Sequence, residues 1–178
     1  MDTSNKPKVL FIDDDPYISS LYVQMLKAQG LRVHYIKDVD EAIYLASRTR
    51  FDAVIIDIMM PHGSYFDEME TAAGFKTGIA LGIEITDMQP DAVLLALTNS
   101  QEADVEAWYT SQEQFGYYYK GDVSPEEFAK IVWNRIQGVT EMPKIFIVHG
   151  HDRDALLSLK NYGSLLLVVK AHNILCSQ

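Results

Sequence analysis

Apolar residues recur along this chain in short runs, each closed by a polar or charged residue. Residues 9–12 (VLFI) stop at Asp13-Asp14-Asp15, residues 53–56 (AVII) at Asp57, residues 92–97 (AVLLAL) at Thr98, and residues 117–119 (YYY) at Lys120. Residues 31–36 (LRVHYI) alternate, as a half-buried or edge strand does. Helical periods fill the gaps. Pro16 opens one with Ile18, Leu21, Tyr22, Met25 and Leu26 on one face, and Gly30 ends it. Asp40 is placed to cap a second, which carries Ala42, Ile43, Leu45 and Ala46. Residues 102–114 form an acidic helix candidate holding Val105, Trp108 and Tyr109. Ser124-Pro125-Glu126-Glu127 is a helix start with Ser as N-cap, Pro first and Glu third. That helix is expected to bury Phe128, Ile131, Val132 and Ile136 and to stop at Gly138. Residues 61–90 lack a clean period, and the helical pattern that resumes at 78–85 (GIALGIEI) is weakened by two glycines.

Strands this apolar, alternating with helices, predict an α/β fold: a doubly wound, five-stranded parallel sheet covered on both faces. In such a sheet the loops at the carboxyl ends of the strands converge on one crevice. Asp13, Asp14, Asp57, Thr98 and Lys120 would meet there. Carboxylates gathered in one place repel one another unless a divalent cation joins them, and hard oxygen ligands suit Mg2+. A carboxylate can also act as a nucleophile and form an acyl phosphate. A hydroxyl and a lysine beside it would complete a site for a transferred phosphoryl group. Each residue also has an ordinary reading. Asp13 and Asp14 could be a solvated turn, with Asp15 as a cap before Pro16; Asp57 could cap a loop. Thr98 could be a plain β-branched strand residue and Lys120 a solvated lysine. The joint placement at four strand ends favours the chemical reading.

Charge and composition narrow the function. The 178 residues carry a net charge of −10, with a pI near 4.8. So acidic a chain lacks the basic face that phosphate neutralisation demands, which argues against direct nucleic-acid binding. The single cysteine, Cys176, allows no intrachain disulfide, and a reducing, cytoplasmic setting is expected. MDTSNKPK is no signal peptide, and no apolar run approaches the ~20 residues of a membrane span.

The segments KVLFIDDDP, AVIIDIMMP, LLALTNS and FGYYYKGD occur in order and resemble the signature segments of two-component response-regulator receiver domains. The resemblance covers residues 6–138. It implies a flavodoxin-like sheet of order 2-1-3-4-5 and a signalling switch rather than a conventional enzyme. Asp57 is then the phospho-acceptor, served by a sensor histidine kinase or phosphotransfer protein. Asp13 and Asp14, with Asp57 and the Met59 backbone carbonyl, hold Mg2+. Thr98 follows the phosphoryl group, Lys120 contacts it, and Tyr117 is the aromatic switch. A downstream effector protein would read the result. The chain departs from the family in three places. Gly121 replaces the usual proline, so the cis peptide expected there is not assured. Residues 61–90 are longer than the usual loop and helix by roughly ten residues, either as a lid or partner surface or as a tolerated insertion. Met59 and Ser100 stand where residues tune acyl-phosphate hydrolysis; an apolar Met59 cannot orient water, so a long-lived phosphoryl state is expected. The acidic fourth helix, with Glu102, Asp104, Glu106 and Glu113 and no basic residue, disfavours a dimer through that face and suits a basic partner.

Two other readings stay open: a pseudo-receiver that binds partners without phosphorylation, and a phosphatase using Asp57, which usually needs an acid where Met59 stands. After VTEMP, residues 139–178 are expected to be a linker and a short β-α extension. PKIFIVHGHDRDALLSLKNY is similar to the opening of Toll/interleukin-receptor-like predicted nucleotide-binding domains, with too little chain left for a core. His149, His151 and Asp152 are read there as a polar loop before a metal site.

Overall fold

The structure, a computed structural model, describes residues 6–111 and 114–139. The expectations for residues 140–178 therefore lie outside the described residues, as does Glu113. Five strands and five helices alternate: β1 Lys8–Ile12, α1 Pro16–Ala28, β2 Arg32–Ile36, α2 Val39–Ala46, β3 Ala53–Ile56, α3 Thr77–Met88, β4 Val93–Thr98, α4 Ala103–Tyr109, β5 Phe115–Tyr119 and α5 Pro125–Ile136. The strands form one parallel sheet of order β2-β1-β3-β4-β5, the expected doubly wound arrangement.

The period of two along each strand divides the core into two layers. Leu10, Ile12, Val54, Ile56, Leu94 and Ala96 pack against α2, α3 and α4. Val9, Phe11, Ala53, Ile55, Leu95 and Leu97 pack against α1 and α5. Burial on both faces explains why β1, β3 and β4 read as unbroken apolar runs, whereas edge strand β2 is only partly buried.

Helix α5 begins as its sequence requires. The Ser124 side chain accepts from the Glu127 amide, and Pro125 opens the first turn. It buries Phe128, Ala129 and Val132, while Ile131 and Ile136 are only partly covered. Helix α1 corrects the expected face. Ser19, Tyr22 and Leu26 are its buried residues, while Ile18 and Leu21 stay 40% and 55% exposed. One helix resting on a sheet and one neighbour needs a narrower apolar stripe than the five positions suggested. Asp40 is a second correction, because Asp38 caps α2 through the Glu41 amide. The Asp40 carboxylate, two residues further on, accepts instead from the Ser64 and Tyr65 amides and the Ser64 hydroxyl. It thus anchors the long loop that runs from the end of β3 to α3. Helix α4 ends at Tyr109, sooner than the sequence pattern implied. Every described peptide bond is trans, Lys120–Gly121 included.

Candidate functional site

Strands β1 and β3 pair in register, Ile12 opposite Ile56, so the residues that follow them emerge side by side. The Asp57 amide donates to the Ile12 carbonyl at 2.9 Å, and the Asp13 amide to Ile36 at 3.1 Å. These bonds fix both acids at the rim of the sheet. Asp13 is 1% exposed and Asp57 8%, while Asp14 stands open to solvent. One oxygen from each of the three carboxylates lies within 4.8 Å of the others.

Lys120 enters from the end of β5. Its amide donates to the Thr98 carbonyl at 2.8 Å. Its Nζ donates to Asp13 Oδ2 at 2.8 Å and Asp57 Oδ2 at 3.0 Å. The lysine side chain is only 5% exposed. Burial alone would lower its pKa, but the Asp57 charge and the contact with Asp13 outweigh burial and raise it. Asp14 also titrates high: partial desolvation comes first, and the Asp13 and Asp57 charges add to it against its own backbone hydrogen bond and Lys120. Asp57 Oδ1 is buried and has no hydrogen-bond partner. A buried carboxylate oxygen left open beside two further carboxylates is what a hard divalent cation would complete.

Thr98 closes β4, fully buried, and its hydroxyl accepts from the Ser100 amide at 3.1 Å. Tyr117 lies partly buried on β5 and its hydroxyl donates to the Ser100 carbonyl. Burial, then the charges of Glu106 and Glu102, raise the Tyr117 pKa. Met59, in the loop after Asp57, is 42% exposed. The structure thus gathers Asp13, Asp14, Asp57 and Lys120 directly, and sets Thr98 at the end of the adjoining strand and Met59 in the loop after Asp57.

Two features were not foreseen. Lys76, at the end of the insertion, pairs with Asp104 and Glu102 at the start of α4, so the acidic helix has a basic partner within its own chain. Gly78 lets α3 approach the end of β3 so closely that a Cβ there would lie 2.4 Å from the Asp57 carbonyl oxygen. The available signal was a pair of glycines inside a helical pattern, at 78 and 82, which marks close packing as well as weak helix.

A five-stranded parallel sheet with an acidic crevice and an inward lysine defines the receiver class, and the comparisons agree. The family model for the response regulator receiver domain matches residues 9–130, well over half of the chain, and the chain belongs to that family. Receiver domains bind a divalent metal at their acidic pocket. Among curated proteins the chain is similar to the transcriptional regulatory protein ResD of Bacillus subtilis, 31% identical over 61 residues, 34% of this chain and 25% of that protein. It is also similar to PrrA of Mycobacterium leprae, 39% identical over 62 residues, 34% of this chain and 27% of that protein. The matches thus span about a quarter of each relative's length. Among solved structures, a CheY-like receiver domain from Methanospirillum hungatei superposes with TM-score 0.63 at 16% identity, covering 76% of this chain and 97% of that one. A response regulator from Burkholderia pseudomallei, solved with a phosphorylated aspartic acid and a calcium ion, gives TM-score 0.59 at 20% identity, covering 88% and 76%. Among the described residues no helix is long and apolar enough to cross a membrane.

Proposed function

We propose that this chain is a phosphorylation-dependent switch in which Asp57 takes a phosphoryl group from a phosphohistidine of a sensor kinase or phosphotransfer protein. The observation that carries the reading is the Asp57 carboxylate itself: Oδ2 is held by Lys120, and Oδ1 is buried without a partner. One oxygen of the Asp57 carboxylate is the nucleophile. Its attack forms the new P–O bond while the P–N bond breaks and the electron pair returns to the donor imidazole. Asp13, Asp14, Asp57 and the Met59 carbonyl would hold Mg2+, whose charge offsets that building on the transferred oxygens. Lys120 changes partner from the two carboxylates to the phosphoryl group, a stronger charge at the same place. The Thr98 hydroxyl turns from the Ser100 amide to donate to a phosphoryl oxygen. Tyr117 then exchanges its bond to the Ser100 carbonyl for the space Thr98 leaves, which couples the chemistry to the α4–β5 surface. Met59 offers no group to orient water, so the acyl phosphate persists for longer than a few seconds. Residues 6–138 are the switch in this reading, and an effector protein reads it. On the sequence resemblance alone, residues 139–178 begin a second, nucleotide-binding-like unit.

The test is incubation with Mg2+ and acetyl phosphate, followed by intact-mass measurement of wild type and Asp57→Asn. One phosphoryl adduct in the wild type alone supports the switch. No adduct, with Mg2+ binding shown separately, overturns it and leaves a partner-binding pseudo-receiver.

A further inference from the structure

The loop Ile58-Met59-Met60 offers three successive carbonyls, and α3 claims two of them. The Gly78 amide donates to Ile58 at 2.9 Å. The hydroxyl of Thr77, fully buried, donates to Met60 at 2.6 Å. No described residue donates to the carbonyl between them, that of Met59. The first turn of α3 therefore clamps the loop on either side of one free acceptor.

What holds the clamp is on another helix. Tyr109, the last residue of α4, is completely buried, and its hydroxyl donates to the Gly78 carbonyl at 2.8 Å. Gly78 has no side chain to space it from the residues that follow β3; its amide bonds the loop at Ile58 while its carbonyl accepts from Tyr109 of α4. We propose that Tyr109 is a positioning residue for the cation: through Gly78, and together with Thr77, it fixes the Met59 carbonyl in the orientation the metal requires. This rests on the site reading above and extends it. Outer hydrogen bonds that orient a ligand set its affinity for the metal. Coupling of this kind is reciprocal, so cation binding must in turn favour the docked α4.

The experiment uses the full chain. Mg2+ affinity is measured by calorimetry, and stability by urea unfolding in EDTA, for wild type, Tyr109→Phe, Thr77→Val and Thr86→Val. Thr86 serves as the control, because its hydroxyl bonds the Gly82 carbonyl at 2.7 Å on the same helix, away from the loop. Tyr109→Phe and Thr77→Val are each expected to weaken Mg2+ about tenfold, the lower end for lost outer-sphere bonds. A variant carrying both Tyr109→Phe and Thr77→Val should lose less than the product of the two. Thr86→Val should shift stability alone. If Tyr109→Phe does not fold, Thr77→Val carries the test. Wild-type affinity in a folded Tyr109→Phe would overturn its positioning role, and wild-type affinity in Thr77→Val would overturn the clamp, each leaving the site intact. Absence of Mg2+ binding in the wild type would overturn the site reading, and this inference with it.

Discussion

Replacing Asp14 by Asn should make the metal-free protein more stable. Three carboxylates share the crevice with one lysine, and their nearest oxygens are within 4.8 Å. Two unit charges at that separation repel by roughly 3.5 kcal/mol at an effective dielectric of about 20, and by roughly 0.9 kcal/mol in water. Asp14 is exposed, so the lower figure applies to each neighbour, and the attraction of Lys120 cancels part of the sum. A net gain of about 1 kcal/mol is expected after solvent screening. Urea unfolding in EDTA measures it. Adding Mg2+ should reverse the order. A ligand at ten times its Kd stabilises by about 1.4 kcal/mol, and the variant has lost one of the carboxylates that would hold it. The pH dependence follows from the raised pKa. Asp14 favours the folded state below its unfolded value of 3.8, and that stability is lost as pH rises through the higher folded value. The advantage of Asp14→Asn should therefore vanish in acid and open as the pH climbs. A variant no more stable than wild type in EDTA at neutral pH, or one that gains as much from Mg2+, would refute the reasoning.

The remaining predictions address the frame around the site. Lys120→Met should cost about 3–5 kcal/mol in EDTA, because it leaves two buried carboxylates without their counter-charge, and Mg2+ should recover much of the loss; a cost under about 1 kcal/mol by urea unfolding would sink the buried-pair account. Gly78→Ala should destabilise by about 1–3 kcal/mol although alanine is the better helix former, because the new Cβ meets the Asp57 carbonyl at 2.4 Å and the Ile58 Cα at 2.6 Å. Gly82→Ala should cost less, since its nearest neighbours are side-chain ends of Tyr109 and Trp108; equal costs would contradict the close backbone approach. Asp40→Ala should lose about 1 kcal/mol, less than for a buried charged acceptor since the carboxylate is open to water. The Ser64 hydroxyl and amide hold the Asp40 pKa below 3.8, so its contribution is present above that value and lost as pH falls through the lower folded value. The gap between Asp40→Ala and wild type, followed by urea unfolding, should be constant near neutrality and close only in strong acid.

The elements and the acidic crevice were legible because each depends on local pattern and a strong topological rule. AVII followed by Asp57 reads as a buried strand with an acid at its rim whatever surrounds it, and parallel strands must bring their carboxyl ends together. Ser124-Pro125 fixed a helix start within a single turn. The misreadings share a cause: the deciding partner is far away in sequence. Ile18 and Leu21 fit a helical face, but only the breadth of the surface beneath α1 decides whether that face is covered. Asp40 has the chemistry of a cap, and the same chemistry holds a loop 24 residues on. Lys76 bonds Asp104 at a separation of 28 residues, and no spacing rule reaches that far.

The insertion shows what such distant partners do together. Asp40 on α2 accepts from the amides of Ser64 and Tyr65 at its start. Met60, after β3, donates to the Gly74 carbonyl near its end at 3.2 Å. Lys76 then reaches the first turn of α4. Each tie is modest, and the exposed Lys76 pair is worth little alone. They fasten one loop to α2, to α4 and back onto its own start at Met60, however, and the loop leads directly into Thr77 and Gly78. A hinged lid over Asp57 would have to release all three ties and the α3 clamp at once. A tolerated insertion would need none of them. The anchoring to α2 and α4 therefore fits a fixed segment rather than a hinged lid over Asp57.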